Sequence, residues 1–291
     1  MVSSTLTAAV ALLSAPLVSS HYILNILMHN GAAVGGEYAY VRKNSNTYMP
    51  SFFEIIDTNE LRCNKGAVAG STATYQDVQA GDKIGLKLFN SEFIEHPGPG
   101  FFYMSKAPGN VSDYDGSGDW FKVWESGPTG SPTTTGAWPT YGKYTMEFTL
   151  PTTLEDGEYL LRGEHIGIHE NHVGKPQVNP SQPQPHVENC YYAQTTNLNL
   201  MNSSVSLYSH SHSHLIPIPI IPHATTQLTT PSPTPDMECA QIRITGGTGT
   251  AQPSPLVKIP GIYSRTDPGL TYNFWGSGGT YTMPGPAVAK S

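Results

Sequence analysis

Charged side chains are scarce in this 291-residue chain. Asp, Glu, Lys and Arg make up 13% of the residues, whereas a soluble domain usually has about 25%. The 22 acidic and 15 basic residues give a formal charge of −7. Such a chain is poorly suited to a phosphate backbone, because that kind of binding depends on many Lys and Arg contacts. The composition therefore excludes a nucleic-acid partner, and it favours a neutral carbohydrate over an anionic membrane.

Long hydrophobic runs are also missing. The apolar stretch at 8–13 (AAVALL) is too short to cross a bilayer. It is followed by small residues at Val18 and Ser20, a pattern typical of a secretory signal peptide. We therefore predict a signal peptide over 1–20, a secreted extracellular protein that begins at His21, and no membrane partner.

Cysteine is rare as well, with three in the whole chain: Cys63, Cys190 and Cys239. A secreted protein with three cysteines has at most one intramolecular disulfide and one remaining thiol, and counting does not choose the pair. The triplets that begin at Asn110 and Asn202 match the N-glycosylation sequon, which predicts a glycoprotein.

Turn-forming residues are abundant instead: the chain has 29 Gly and 25 Pro, together with 16 Tyr. Short runs of alternating apolar and polar residues lie between the turn signals, at 83–89, 143–150, 158–162 and 239–245. This spacing predicts an all-β protein, an antiparallel β-sandwich of the immunoglobulin-like or fibronectin type with long loops. The Gly-, Ser-, Thr- and Pro-rich stretch 105–139 is predicted to form surface loops.

One segment does not follow the strand pattern. No charged residue occurs between Glu188 and Asp236, and proline recurs too often for a central strand. We interpret 178–236 as a low-complexity insert that interrupts a single catalytic domain over 21–291. His210, His212 and His214 within it are weak candidates for a loose metal site.

Two histidines are candidates for a metal site. An N-terminal His21 would offer its amine and its imidazole Nδ1 to one ion, and an opposing imidazole would complete a set of three nitrogens. His96 precedes Pro-Gly-Pro, in a loop that would present its ring rigidly. Nitrogen ligands in a planar arrangement suit Cu(II).

Many stretches around these histidines form an ordered set of motifs. They are HYIL at 21–24, GEYAYVRKNSN at 36–46, HPGPGFFYMSKAP at 96–108, DGSGDWFKVWESGP at 115–128, DGEYLLRGEHIGIH at 156–169, ECAQIRITGG at 238–247 and SPLVKIPGIY at 254–263. Through them the chain resembles the fungal lytic polysaccharide monooxygenases of auxiliary activity family 9, formerly glycoside hydrolase family 61.

The resemblance implies one copper ion held by His21 and His96. It also implies that His169 and Gln177 act beside the metal, where outer groups orient ligands and tune reactivity. His165 and His172 are the alternatives to His169.

The resemblance further implies a disulfide between Cys63 and Cys239, which leaves Cys190 unpaired. Trp275 would be an aromatic ring that stacks on sugars, since such rings bury large apolar faces. Tyr281 is a second candidate for substrate binding, with core packing as its alternative.

The activity implied is copper-dependent oxidative cleavage of cellulose or a related β-glucan at C1 and/or C4. Dioxygen or hydrogen peroxide would be the co-substrate, an external donor would supply electrons, and the enzyme would act as a monomer. Two alternatives remain: a non-catalytic protein that binds copper or carbohydrate, and an oxidase of xylan or glucomannan.

The chain departs from the family pattern after Gln177. The family continues with an aromatic residue and then with a tyrosine that is axial to copper, three residues before a cysteine. Here Val178 and Asn179 follow Gln177, and Asp236 stands three residues before Cys239. Because Val-Asn can be encoded by a GT-A intron start, we hypothesise that 178–236 is translated from a retained intron.

Overall fold

Two β-sheets make up the framework of the computed structural model, which describes residues 22–46, 51, 53–91, 93–169, 234–250 and 253–290. Across these ranges the strands are β1 (Ile26–His29), β2 (Ala32–Val34), β3 (Tyr75–Gln79), β4 (Lys83–Lys87), β5 (Gly100–Lys106), β6 (Phe121–Ser126), β7 (Thr145–Thr149), β8 (Gly157–Gly167) and β9 (Thr234–Thr245). One sheet has the order β2-β1-β4-β7 and the other the order β3-β9-β8-β5-β6. The predicted β-sandwich is therefore confirmed.

Helical structure in the described ranges is confined to single turns of 3₁₀ helix, at Phe53–Ile55, Asn59–Leu61, Phe89–Ser91, Val111–Asp113 and Thr135–Ala137. None of the helices found there has the length and apolar character that a bilayer crossing requires.

Burial explains why the strands form where they do. In β7 the side chains of Met146 and Phe148 are buried and those of their neighbours are more exposed, the alternation expected of a strand with one face towards a core. Nearly every residue of β5 and β8 is buried, because these strands lie inside the larger sheet and both of its faces are covered.

Two apolar clusters cover those faces. One lies between the sheets and includes Phe102, Met104 and Leu161. The other lies on the outer face, where Phe101 and Leu160 pack against residues of the C-terminal coil, including Ile259, Leu270 and Phe274. The coil after the last strand therefore contributes to the core even though it forms no regular strand over 253–290.

Three details differ from the sequence-based expectation. β6 lies within the stretch predicted to be loop, where it pairs with β5. β3 pairs with β9 in parallel, against the antiparallel pattern of the other strand pairs. β9 begins at Thr234 rather than at Cys239. Pro235 is tolerated there because β3 pairs with β9 only from Ile242 onward, so the first residues of β9 need no donor on that side.

The predicted disulfide between Cys63 and Cys239 is present, with an S–S distance of 1.97 Å. It joins residues 176 positions apart and ties the loop after the second 3₁₀ turn to β9. Cys190 lies outside the described residues.

The strand directions bring several chain segments to one end of the sandwich, which we call the site end. There β4 finishes opposite the start of β7, and β8 finishes opposite the starts of β5 and β9. The N-terminal segment enters at the same end, since Ile23 O accepts a hydrogen bond from Phe89 N at 3.2 Å. Segments far apart in sequence therefore meet there.

Candidate active site

His96 lies in a loop that is held as an extension of the sheet. Pro97 O accepts from Ile168 N and Pro99 O accepts from Ile166 N, both at 3.0 Å, so the loop continues the β5–β8 ladder. Gly98 is required between the two prolines, because a Cβ atom at this position would collide with the carbonyl of Ile166. The HPGPG sequence therefore fixes the position of the His96 backbone at the site end.

The same ladder brings His169 opposite His96. Their rings stack with centroids 4.0 Å apart and an interplanar angle of 14°. The two histidines, which lie in separate motifs, thus share one site. They are separated by 72 residues, and the sequence gave no direct indication that they are in contact.

Tyr22, which the sequence analysis did not select, lies in contact with this site. Its ring centroid is 5.7 Å from that of His96 and 5.8 Å from that of His165. The Tyr22 hydroxyl lies 2.6 Å from His165 Nδ1. Burial raises the pKa of Tyr22 well above its ordinary value, so the phenol stays protonated in this hydrogen bond.

His165, the partner of Tyr22 in this hydrogen bond, is fully buried. Burial, and secondarily the nearby His96, lower the pKa of His165 to about 3, so its imidazole is neutral at any physiological pH. His165 therefore holds the Tyr22 ring in place beneath His96, and it is His169 that contacts His96 directly.

Two buried acids follow on β9. Asp236 pairs with His165 in the β8–β9 register, so both side chains emerge on the same face of the sheet. Burial, reinforced by Glu238, raises the pKa of Asp236 well above its ordinary value. A carboxyl group thus occupies the place that the resemblance assigns to a tyrosine.

Glu238 links β9 to the N-terminal segment. Its carboxylate accepts from Leu24 N at 3.3 Å, Asn64 Nδ2 at 3.4 Å and Asn44 Nδ2 at 3.5 Å. The donors favour the charged form of Glu238 and lower its pKa, but the effect of burial is larger. The net result is a pKa raised to about 7.

The raised pKa of Glu238 gives a pH-dependent stability. At pH values between the ordinary pKa of glutamate and about 7, the Glu238 carboxyl holds a proton in the folded protein but not in the unfolded chain. The free energy of unfolding therefore falls as the pH rises through this window. We expect the free energy of unfolding of Glu238→Gln to fall less than that of the wild type over this pH window, by up to about 3 kcal/mol. Thermal unfolding at pH 5 and pH 8 measures it, and equal pH dependence in both proteins would contradict the prediction.

A buried ionic network lies on β8 just before His165, on the opposite face of the strand. Arg162 donates to both oxygens of Glu164, at 2.6 and 2.9 Å, and the Tyr263 hydroxyl donates to Glu164 at 2.5 Å. The network joins β8 to the C-terminal coil. The sequence signal for this network was the presence of two charged residues, Arg162 and Glu164, within a buried strand. Charged side chains are buried only when they are paired, so these two could have been predicted to form an ion pair.

Trp275 is presented at the surface beside His169. Its side chain is 64% exposed, and Nε1 donates to His169 O at 2.7 Å. The buried Phe274 supports the indole from one side in an edge-on contact at 5.0 Å. The C-terminal coil thus holds a large ring in a defined place next to the stacked histidines.

Tyr281, the second substrate-binding candidate, occupies a different environment. It is buried in an edge-on contact with Trp138 at 4.9 Å, and its hydroxyl donates to Gly269 O at 3.1 Å. A ring held this way has no free face for a sugar. We therefore correct its assignment to core packing, the alternative considered from sequence.

The remaining predicted site residues, His21 and Gln177, lie outside the described residues, as do His172 and the three histidines at 210, 212 and 214. In the part of the chain that the structure describes, no group of three or more His, Cys, Asp or Glu side chains is arranged to hold a metal ion. His96 is the one predicted copper ligand within that part.

Comparison with known proteins identifies the family. The sequence profile of auxiliary activity family 9, formerly GH61, matches residues 21–220 and 232–281. The chain is 36% identical over 296 residues to AA9 family lytic polysaccharide monooxygenase D of Emericella nidulans, covering 98% of this chain and 82% of that protein. It is 34% identical over the same length to monooxygenase A of Aspergillus fumigatus, with 98% and 81% covered.

The fold agrees with this assignment. The extended catalytic domain of LPMO9A from H. jecorina superposes with a TM-score of 0.65 at 18% identity, covering 92% of this chain and 90% of that one. The chain therefore belongs to auxiliary activity family 9, the lytic polysaccharide monooxygenases, which cleave polysaccharides by oxidation.

Proposed function

We propose that this protein is a secreted copper monooxygenase that oxidises cellulose or a related β-glucan at C1 and/or C4. The observation that carries the proposal is the contact of Tyr22 with His96, whose ring stacks in turn on His169. Residue 21 is bonded to Tyr22, and removal of residues 1–20 would release a new amine one residue before this contact.

The donor set fits copper. The amine and imidazole of His21, with the imidazole of His96, would supply three nitrogen ligands to one ion, a set that Cu(II) favours. When bound, copper supplies the electron chemistry by which dioxygen or hydrogen peroxide is activated for attack on a glucose C–H bond.

The chain's own residues would position and protect this chemistry. The hydrogen bond between Tyr22 and the neutral His165 holds the ring that contacts His96. His169 stacks on His96; it would donate or accept a proton during the reaction, and Gln177 would act with it. An external electron donor completes the reaction, and the enzyme would work as a monomer.

Trp275 would provide the sugar-stacking ring. We expect Trp275→Ala to weaken binding to cellulose by about three- to tenfold, because it removes an exposed apolar face from the contact surface. Trp275→Phe is the matched control and should retain part of the binding. Adsorption isotherms on cellulose measure both, and an alanine variant that adsorbs like the wild type would refute this role.

The function itself is tested on the purified secreted protein. Intact mass should show a chain that begins at His21, titration should show one tightly bound Cu(II), and cellulose with ascorbate and oxygen should release oxidised oligosaccharides. Parallel incubations with xylan and glucomannan define the preferred polymer. A different first residue, or no oxidised product from any of these glycans with copper bound, would overturn the proposal.

Asp236 favours a second function, a non-catalytic protein that binds copper or carbohydrate. A buried carboxyl replaces the tyrosine at this position, opposite His165 in the sheet. Copper and cellulose binding without oxidised product would support this second function.

We further propose that 178–236 is an intron-derived insert in the catalytic domain. The low-complexity composition and the Val-Asn start support this origin, whereas the family match, which continues to residue 220, does not favour it. Sequencing of the mature transcript decides the question, and a message that carries these codons would refute the proposal.

A further inference from the structure

One of the two sequons found in the sequence lies within the described residues. Asn110, Val111 and Ser112 follow β5 on the way to β6, whereas Asn202 lies outside the described ranges. A sequon marks an acceptor for a glycan only on the surface of a secreted protein. The sequence treats the two sequons alike, and the structure adds the surroundings of Asn110.

The side-chain amide of Asn110 is bonded through its oxygen alone. Asn110 is exposed, and its Oδ1 accepts from Ser112 N at 3.0 Å and from Ser112 Oγ at 2.7 Å. Because a backbone N–H can only donate, the amide atom that faces it must be the oxygen. Within the described ranges, Asn110 Nδ2 makes no hydrogen bond. This nitrogen is the atom to which an N-linked sugar is attached, so a sugar there would break neither bond to Ser112.

The backbone beside Asn110 is held from inside the protein. Val111 is fully buried, its N–H donates to Glu158 Oε2 at 2.7 Å, and its carbonyl accepts from Arg42 Nη2 at 2.9 Å. The same guanidinium nitrogen donates to Tyr114 O at 2.7 Å. The turn therefore presents Asn110 on a fixed backbone, and a group added to its side chain would leave these internal contacts unchanged.

Asn110 lies at the end of the sandwich opposite the site end. β5 begins beside the loop of His96, and its seven residues span about 20 Å. Asn110 comes four residues after the last residue of β5. Its neighbour Val111 bonds to Glu158 near the start of β8, and β8 finishes at the site end. A glycan on Asn110 would therefore leave the proposed active site open.

We propose that Asn110 carries an N-linked oligosaccharide, which covers the end of the sandwich opposite the site end. In the transfer, Asn110 Nδ2 forms a bond to the anomeric carbon of an oligosaccharide carried on a lipid diphosphate. The bond from that carbon to the diphosphate oxygen breaks, and the lipid diphosphate leaves with the proton that Nδ2 gives up. This inference rests on the secretion that forms part of the proposed function, because the sequon is used in secreted proteins.

The glycan adds polar surface to a chain that has little charge of its own. Charged residues make up 13% of the sequence, about half the share in an ordinary soluble domain. An N-linked glycan is bulky and solubilising. At the end opposite the site end it supplies this surface without competing with a polysaccharide for the site.

The test uses protein secreted from a fungal host, with Asn110→Asp and Ser112→Thr as variants. Enzymatic deglycosylation in heavy-oxygen water, followed by peptide mapping, should show wild-type Asn110 converted to a labelled aspartate. Asn110→Asp keeps an oxygen that accepts from Ser112 but has no amide nitrogen, so this peptide should lose its glycan mass. Ser112→Thr keeps the hydroxyl and should keep the glycan.

Two controls accompany these variants. Asn202→Gln should leave the glycan on Asn110 in place, because it changes only the other sequon. Cu(II) affinity and cellulose binding of Asn110→Asp should equal those of the wild type, because the glycan lies away from the site end.

Each outcome decides the inference. Secreted protein with an unmodified Asn110, or with sugar on Asn202 alone, would overturn it. A change in cellulose binding on loss of the Asn110 glycan would overturn its placement away from the site. Secreted protein that carries the glycan and binds copper but releases no oxidised product supports this inference and refutes the proposed enzyme. A chain retained in the cell without sugar would refute both.

Discussion

Replacement of His96 with alanine is expected to lower the affinity of the processed protein for Cu(II) by more than about a hundredfold. Loss of an outer group that only orients a metal ligand typically costs ten- to a hundredfold, and His96 would be a direct ligand. Oxidised products from cellulose should disappear as well. Competition titration with a chelator measures the affinity, and the electron paramagnetic resonance spectrum reports the change of ligands.

His29→Ala is the matched control. The His29 imidazole is also partly buried and hydrogen-bonded, to Asp82 at 2.8 Å and to Tyr75 at 3.1 Å. β1 begins at the site end and ends at His29. His29 therefore lies at the opposite end of the sandwich. Its variant should bind Cu(II) with wild-type affinity. If His96→Ala bound the ion as tightly as His29→Ala does, His96 would not be a ligand.

The double variant Cys63→Ala/Cys239→Ala is expected to lose about 2–5 kcal/mol of unfolding free energy, since the bond closes a loop of 176 residues. For a domain of this size the loss corresponds to a fall in melting temperature on the order of 10 °C. The effect should be large because both sulfurs lie in the buried core between the sheet and its covering loops. Differential scanning calorimetry of the secreted protein measures it.

Cys190→Ser provides the comparison for the disulfide. With Cys63 and Cys239 bonded to each other, the third cysteine has no intramolecular cysteine partner, so its replacement should leave the melting temperature within about 1 °C of the wild type. A fall as large as that of the double variant would mean that Cys190 contributes to stability in a way that the pairing does not account for.

Local sequence patterns predicted the repeating parts of the fold well. The strands at 83–89, 143–150 and 158–162 were found because side-chain alternation is a property of neighbouring residues, and β4, β7 and β8 lie there. β6 was missed because it lies among Gly, Ser and Pro, and its strand conformation depends on pairing with β5. The start of β9 was missed for the same kind of reason, since Thr234 and Pro235 are held in the strand by β8.

The site shows the same division. His96 was selected from the Pro-Gly-Pro loop that follows it, His169 from the resemblance to the family, and the structure brings the two together. Tyr22 carried no such signal, because its role arises from contacts with His96 and His165 across more than 70 residues of chain. Tyr281 could not be placed from sequence, because an aromatic residue in a Gly-rich coil suits a core and a surface equally well.

By itself the sequence determined that the chain is a β-sandwich with a histidine loop made rigid by Pro-Gly-Pro, because strand alternation and proline geometry are properties of short segments. Only the tertiary structure decided which ends of the strands meet, which ring stacks on His96, and which aromatic side chains remain exposed. Those properties depend on packing between distant segments, and burial is set by the neighbours that the fold supplies.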